Sequence, residues 1–315
     1  MNRLMSMILA VLAVAGCRNG KAEQFKALPF PDISLPAMMD SPQDRAEYMA
    51  EHLWDAFTDP DRDFPCDSLL VSGVQKKEVE QKYANWLQLL DMSGLDVSEK
   101  AVKRLYDRAL ACERKDTSSN VLEFFMGLAD KYLHDANSPL RNEEHYLHYA
   151  SRLAQYDGLS PEMRAKYAYH VQMCSLNRIG TKAADFRFAD RNGRIGTLYS
   201  IEAPLTLLFF SNPGCEACMN IINMLKSDAV VSRMISDGTL AVLNMYIDED
   251  IQAWRDYMPV YPQEWYNGFD PDMVIRMDNL YNIRAIPSLY LLDDEKRVIL
   301  KDAPESKVMS LLAGQ

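Results

Sequence analysis

The sequence predicts an all-helical domain followed by an α/β domain, in which helices flank a mixed sheet. Two observations lead to this fold class. Over residues 41–176, apolar side chains recur at helical spacing, with Gly and Pro between the stretches. Over residues 177–315, short apolar runs alternate with amphipathic stretches, which is typical of strands that alternate with helices. At 315 residues, the chain is long enough for two domains.

The N-terminal end of the sequence has the features of a secretory signal. Arg3 supplies a positive charge, residues 4–14 are almost wholly apolar, and small residues lead to Cys17. The apolar part is shorter than the about 20 residues that a membrane-spanning helix needs. Residues 14–17, Val-Ala-Gly-Cys, resemble a bacterial lipobox, so residues 1–16 are predicted to be a lipoprotein signal peptide. The alternatives are an ordinary signal with an incidental cysteine, or a plain N-terminal anchor.

Lipid on Cys17 would place the chain in the cell envelope. In some bacteria an Asp directly after the lipidated cysteine is associated with retention in the inner membrane. Here Arg18 follows Cys17, so we expect the protein to be anchored in the outer membrane and to face the periplasm. Residues 17–40 contain three prolines and little helical periodicity, which predicts an extended tether. Disulfides persist outside the cytoplasm, so a cysteine pair there can cycle between dithiol and disulfide.

The helical domain is predicted to begin at a recognisable cap. Ser41 and Pro42 form the pattern of an N-cap followed by proline, opening a helix that we expect to run through Phe57. Further amphipathic helices are predicted over residues 76–92, 98–113, 118–135, 142–156 and 160–176.

The α/β domain is predicted over residues 177–315. Its expected elements are a hairpin around residues 190–193, strands over 205–210, 240–247, 288–292 and 297–301, and helices over 216–227 and 304–313. The strand over 205–210 is a continuous apolar run, which indicates burial on both faces of a sheet.

The chemistry is concentrated at the end of that strand, where Cys215 and Cys218 form a Cys-x-x-Cys motif at the start of a predicted helix. A helix N-terminus presents unpaired N–H groups and partial positive charge, which stabilise a thiolate on the first cysteine. One helical turn brings the two sulfurs within bonding range. Cys215 can then attack a disulfide, and Cys218 can resolve the mixed disulfide.

At these residues the chain resembles the thioredoxin superfamily, and more closely its exported, membrane-tethered branch related to cytochrome-maturation thioredoxins. A second motif lies at residues 284–292, Arg-Ala-Ile-Pro-Ser-Leu-Tyr-Leu-Leu. The resemblance covers about residues 178–315. It implies that Pro287 is cis and lies against the cysteines, and that the backbone of Ile286 pairs with a bound substrate chain. A cis bond before proline costs only about 0.5–1 kcal/mol.

Four residues bear on how active the site would be. Gly214 stands where an aromatic residue commonly precedes the first cysteine, Phe209 where ordinary thioredoxins keep a buried Asp, and Ile221 where cytochrome-maturation relatives have an acid. Glu216 matches an acid that some of those relatives carry between the cysteines. A carboxylate beside the thiol opposes the helix dipole, which predicts a relatively reducing and slow couple.

Other interpretations of the cysteine pair are a structural disulfide, a thioredoxin fold that binds without turnover, or half of a zinc site. Zinc is disfavoured because there is no second Cys-x-x-Cys and no histidine after His170, so no metal is expected. No cofactor beyond the redox-active Cys215–Cys218 disulfide is expected. The net charge of −11 and the lack of a long basic run argue against a nucleic-acid partner.

Three weaker features remain. Residues 249–271 are rich in aromatics and prolines, and we favour a packed cap over a substrate-groove wall. His145 and His148 have metal-compatible spacing on a helix, but a solvated helix face is the preferred interpretation. Cys66, Cys112 and Cys174 are odd in number; the last two fall on apolar helical stretches, which favours burial.

The function predicted from these features is a lipid-anchored envelope thiol–disulfide oxidoreductase that reduces disulfides of exported proteins. Its partners would be those proteins and an electron donor that the sequence does not identify. The alternative is a non-catalytic binding or scaffold lipoprotein. The helical region is similar to an uncharacterised module that precedes thioredoxin-like domains in Gram-negative lipoproteins, and a spacer or docking role is its default interpretation.

Overall fold

The computed structural model describes residues 26–37, 39, 41–62, 64 and 68–314. The predicted signal peptide over residues 1–16, Cys17 and Cys66 lie outside the described residues. Across the described ranges, no helix is both long and apolar enough to cross a bilayer.

The first part of the chain is mainly helical. Its helices are α1 (Pro42–His52), α2 (Lys76–Met92), α3 (Leu95–Lys115), α4 (Val121–Ala129), α5 (Glu143–Leu153) and α6 (Pro161–Cys174), and a π-helical turn (Asp130–His134) extends α4. Strands β1 (Leu70–Val71) and β2 (Val74–Gln75) form a small antiparallel hairpin. The expectation of an all-helical region is therefore wrong at this hairpin, and α1 ends five residues before Phe57.

The N-cap predicted for the first helix is confirmed. The hydroxyl oxygen of Ser41 accepts hydrogen bonds from the backbone N–H groups of Gln43 and Asp44, and Pro42 follows at the first helical position. Ser160 caps α6 in the same way, accepting from the N–H of Met163. Such caps satisfy donors that the helix itself leaves without partners.

An aromatic cluster forms the centre of the helical region, with Trp54 only 2% exposed. The rings surrounding Trp54, at centroid distances of 5.0 to 6.2 Å, are Phe30, Phe57, Tyr83, Trp86 and Phe125. Phe30 belongs to the predicted tether, and the neighbouring Leu28 bridges to β2. This end of residues 17–40 therefore packs on the helical region instead of leading away from it.

Two groups of side chains in the helices differ in how well they were predicted. The solvated face expected at His145 and His148 is wrong: His145 is 4% exposed and His148 half-buried. Burial lowers the pKa of His145 to about 4, so its imidazole is neutral in the folded protein at neutral pH. Cys112 and Cys174 are buried free thiols, as expected, and burial raises the pKa of Cys174 to about 12.

The second part of the chain is an α/β unit with a seven-stranded mixed sheet. Its strands are β3 (Arg187–Asp190), β4 (Ile195–Thr197), β5 (Leu205–Phe210), β6 (Leu240–Tyr246), β7 (Tyr266–Phe269), β8 (Ser288–Leu292) and β9 (Val298–Leu300), in the spatial order β4-β3-β7-β6-β5-β8-β9. Its helices are α7 (Glu216–Ser227), α8 (Ala229–Ser236), α9 (Ile251–Tyr257), α10 (Val274–Met277) and α11 (Glu305–Ala313). The predicted mixed sheet with flanking helices is confirmed.

Strand β5 runs through the middle of the sheet, parallel to β6 and antiparallel to β8. Leu207 and Phe209 point to the apolar layer beneath α7, while Leu208 and Phe210 enter the layer on the other face. All four side chains are fully buried. This alternation explains why the strand reads as a continuous apolar run.

The aromatic insertion over residues 249–271 contributes to both the core and the sheet. Trp254, Tyr261 and Trp265 are each at most 5% exposed and pack in the layer beneath α7. The preferred packed-cap interpretation is therefore confirmed. The sequence did not predict β7 within this insertion, which pairs with β6 on one side and β3 on the other.

Buried charges join the helical region to the α/β unit. Lys301 places its Nζ atom 2.8 Å from a Glu143 carboxylate oxygen, and Arg284 lies 3.0 Å from the other oxygen of that carboxylate. Lys301 also donates to the backbone carbonyls of Cys174 and Leu176, at 2.6 Å each. Since Glu143 begins α5 and Cys174 ends α6, these contacts hold two helices against the sheet.

Candidate active site

Cys215 and Cys218 lie where the polypeptide passes from the central strand into α7. Cys215 is the N-cap of α7, and the two cysteines form a disulfide with their Cα atoms 5.2 Å apart. The backbone N–H of Cys218 donates to the Sγ atom of Cys215 at 3.1 Å. That N–H is one of the donors a helix leaves without a partner, so in the reduced state it would favour a thiolate on Cys215.

The two sulfurs differ in their access to solvent. Cys215 is half-buried, whereas Cys218 is 1% exposed and packs in the apolar layer with Ile222 and Leu225. An incoming disulfide can therefore reach Cys215 but not Cys218. This asymmetry suits one cysteine to attack from outside and the other to react only with its neighbour.

The Ile286–Pro287 peptide bond is cis, as the resemblance implied. The next residue, Ser288, pairs in register with Phe210 at the end of β5. Pro287 therefore lies opposite the segment that leads into Cys215. Ile286 is half-buried and packs in the same apolar layer as Cys215, so the structure brings the two predicted motifs to one edge of the sheet.

Asp302 holds the segment around this proline from both ends. One of its carboxylate oxygens accepts a hydrogen bond from the Ser288 hydroxyl at 2.8 Å, and the other accepts from the Arg284 guanidinium at 3.0 Å. Arg141, which precedes α5, donates to the backbone carbonyl of Asp302 at 2.8 Å. The position of Pro287 is thus linked to the helical region through Asp302, whose carboxylate binds Ser288 and Arg284 and whose backbone carbonyl binds Arg141.

Polar side chains also fix the segment before Cys215. The Asn212 amide donates to Asp248 at 2.6 Å, and Asp248 forms an ion pair with Arg276. The Ser211 hydroxyl, fully buried, donates to Asn244 at 2.5 Å. These bonds satisfy buried polar groups and hold the approach to α7 in one conformation.

The residues that depart from the thioredoxin pattern have structural explanations. Gly214 has φ +72°, a left-handed conformation that costs other residues about 1–2 kcal/mol, so an aromatic residue would be strained there. Phe209 is fully buried and fills the layer beneath α7 with carbon instead of a carboxylate, and Ile221 is 5% exposed in that layer. Glu216 is exposed at the first position of α7.

Comparisons with known proteins show which family this chain belongs to. A family described as a domain of unknown function (DUF5106) matches residues 13–177. A crystal structure of a thioredoxin-like protein from Bacteroides caccae is 33% identical, with a TM-score of 0.77, and the alignment covers 92% of this chain and 100% of that chain. The chain belongs to the thioredoxin-like proteins and carries a DUF5106 domain.

Two further solved structures are similar to part of this thioredoxin-like protein. The C-terminal domain of an uncharacterized protein from Bacteroides fragilis is 46% identical, covering 44% of this chain and 98% of that one, with a TM-score of 0.42. The thioredoxin domain of a thiol-disulfide oxidoreductase from Bacteroides vulgatus is 16% identical, covering 43% and 98%, with a TM-score of 0.38. No curated protein gave a significant match.

Sequence reasoning missed the polar framework of this thioredoxin-like site. Asp302 and Arg284 orient the proline segment, and Asn212 and Asp248 orient the segment before Cys215. One signal was present: Ser211 and Asn212 follow directly on a wholly apolar strand, where a strand that ends at a site often changes to polar residues. Within the described residues, no group of three or more potential ligands could hold a metal ion.

Proposed function

We propose that this protein is a cell-envelope thiol–disulfide oxidoreductase that reduces disulfides of exported proteins. The observation that carries the proposal is the asymmetric pair at the N-terminus of α7, in which Cys215 is accessible and Cys218 is buried behind it. The cis-proline segment beside Cys215 offers the backbone of Ile286 to a bound substrate chain.

In the proposed reaction, the Cys215 thiolate attacks one sulfur of a substrate disulfide. A bond forms between Cys215 and that sulfur, the substrate disulfide breaks, and the second substrate sulfur leaves as a thiolate. Cys218 then loses its proton and attacks the Sγ atom of Cys215, which releases the first substrate sulfur and forms the Cys215–Cys218 disulfide. Two electrons have passed to the substrate, and an external dithiol must return them.

Trapping of mixed disulfides tests this proposal. In a Cys218→Ser variant the resolving thiol is absent, so we expect covalent complexes between Cys215 and envelope proteins, visible as bands on a non-reducing gel that dithiothreitol removes. The wild-type protein should reduce insulin with dithiothreitol as donor, and Cys215→Ala should lose that activity.

The matched control is Cys112→Ser, which removes a buried thiol remote from the motif and should trap nothing. Absence of trapped complexes in Cys218→Ser, together with no reduction of insulin by the wild type, would contradict the oxidoreductase proposal. That result would instead support the non-catalytic scaffold.

We also propose that the protein is held at the outer membrane through lipid on Cys17. The support is the run of residues 14–17, Val-Ala-Gly-Cys, after an apolar stretch, with Arg18 following. We expect a Cys17→Ser variant to leave the membrane fraction of the expressing cells, whereas the wild type stays with it. Retention of the variant in the membrane fraction would argue for a plain N-terminal anchor.

A further inference from the structure

A cavity of about 500 Å³ lies between the helical region and the segment that carries the cis proline. One wall is the run from Asn282 to Ile286, and the floor includes Ile275. The opposite wall comes from α6, through Tyr169 and Met173. The space is within the size range of ligand pockets, which is about 300–1,000 Å³.

The α6 side chains that line the cavity take no part in the core of their own region. Tyr169 and Met173 are four residues apart, so they lie on one face of the helix. Neither belongs to the apolar cluster that packs the other helices together. Tyr169 is 57% exposed, so its ring is accessible from solvent at the mouth of the cavity.

The α6 wall of the cavity is held against the sheet of the α/β unit. Lys301 donates to the carbonyl of Cys174, the residue after Met173, and so fixes the last turn of α6 against the sheet. On the other side, Ile286 lines the cavity and also packs in the layer that includes Cys215. Asp248 also lines the cavity and accepts a hydrogen bond from the Asn212 amide, three residues before Cys215, so the cavity lies at the same edge of the sheet as the cysteine pair.

The charges around the cavity already have partners. Arg276 is paired with Asp248, and Arg284 is paired with Glu143 and Asp302. The charged side chains of the lining are therefore engaged in ion pairs, although the Nη1 of Arg284 finds no hydrogen-bond partner among the described residues. The remaining lining combines Asn279 and Asn282 with aliphatic and aromatic side chains, and a methionine adapts its shape to different apolar groups.

We propose that Tyr169 and Met173 form, with Ile286, a subsite for an apolar side chain of the substrate polypeptide. The inference rests on the proposed function, since the occupant is the chain whose cysteine is bonded to Cys215. An extended chain advances about 3.3 Å per residue, and the proposal places the apolar side chain a few residues from that cysteine. The helical region thereby selects which disulfides are reduced.

The test uses two eight-residue peptides, each with one cysteine joined by a disulfide to thionitrobenzoate. One peptide carries leucines near the cysteine, and the other carries serines at the same positions. Attack by Cys215 on the peptide sulfur releases thionitrobenzoate, which is followed by its absorbance in a single turnover of pre-reduced protein. We expect the leucine peptide to react about tenfold faster, the discrimination that one apolar contact provides.

Tyr169→Ser and Met173→Gln should each bring the ratio of the two rate constants toward one. Tyr169 is exposed, so its substitution leaves the fold intact even if Met173→Gln does not. Tyr266→Ser is the matched control: Tyr266 is 47% exposed on β7, does not line the cavity, and its variant should keep the tenfold ratio.

The outcomes separate the two proposals. A wild-type protein that reacts with both peptides at equal rates, or a ratio that survives Tyr169→Ser, overturns the subsite while leaving the oxidoreductase proposal standing. A wild-type protein that releases no thionitrobenzoate from either peptide overturns the oxidoreductase proposal and the subsite with it.

Discussion

Replacing Lys301 with methionine is expected to lower the free energy of unfolding by about 3–5 kcal/mol, the cost of breaking a buried ion pair by removing one partner. The Lys301 side chain is 1% exposed and pairs with the 2% exposed side chain of Glu143. Methionine fills a similar volume, but the Glu143 carboxylate then keeps only Arg284 as a positively charged partner. The substitution also leaves the carbonyls of Cys174 and Leu176 without the donor they share.

The loss of stability in the Lys301→Met variant should depend on pH, and it should become smaller as the pH falls. Burial raises the pKa of Glu143 even though Lys301 and Arg284 lower it, and losing Lys301 raises it further. As the pH falls, the folded variant takes up a proton on Glu143 that the unfolded chain does not yet bind. Relative to the wild type, the variant should therefore recover stability as the pH falls toward the ordinary pKa of glutamate.

Urea unfolding followed by tryptophan fluorescence measures this effect. Trp54 lies in the helical region and Trp254 in the α/β unit, so fluorescence samples both parts. The matched control is Lys307→Met, which removes an ion pair to Asp91 whose partners are 39% and 34% exposed, and should cost less than about 1 kcal/mol. A loss in Lys301→Met no larger than that in Lys307→Met would show that the buried Lys301 cluster stabilises the protein no more than an exposed ion pair does.

Truncating Trp54 to alanine is expected to cost about 3–5 kcal/mol. Its ring is 2% exposed and contacts five other aromatic rings, so the surrounding helices cannot close the gap without moving several large side chains. Thermal or urea unfolding measures the loss, and circular dichroism should show it mainly as an earlier helical transition.

Two controls define the cause of the Trp54 effect. Trp54→Phe keeps a ring and removes an indole N–H that finds no acceptor among the described residues, so its cost should stay below about 1.5 kcal/mol. Met92→Ala changes a side chain that is 81% exposed and should lie within about 0.5 kcal/mol of the wild type. A Trp54→Ala variant as stable as Met92→Ala would mean that the aromatic cluster is not the core of this region.

Local pattern was enough to locate the candidate site. The spacing of Cys215 and Cys218 at the end of an apolar strand predicted their place at a helix N-terminus, since strand, turn and helix are adjacent in the chain. The proline at 287 precedes a second apolar run, and it was placed beside the cysteines by resemblance. The sequence also predicted the cap at Ser41, because the capping residues are neighbours.

Predictions were wrong or missing where the deciding contact is distant in the chain. His145 has the spacing of a surface helix position, yet its side chain is only 4% exposed in the folded protein. The Asn282 amide donates a hydrogen bond to Glu143, which lies 139 residues away in the chain. A partner at that separation cannot be predicted from local sequence periodicity. Strand β7 was overlooked within an aromatic insertion because its pairing with β3 and β6 exists only in the assembled sheet.

The sequence by itself determined most of the helices of the first part, the strands β5, β6, β8 and β9, the Cys-x-x-Cys pair and the proline that accompanies it, because strand and helix periodicity and turn chemistry act over a few residues. Only the tertiary structure decided that Cys215 is accessible while Cys218 is buried. It alone brought Tyr169 and Met173 of the helical region to the cavity beside Ile286. Burial and ion pairing depend on which elements pack together, and that is settled when the two parts of the chain assemble around their shared charges.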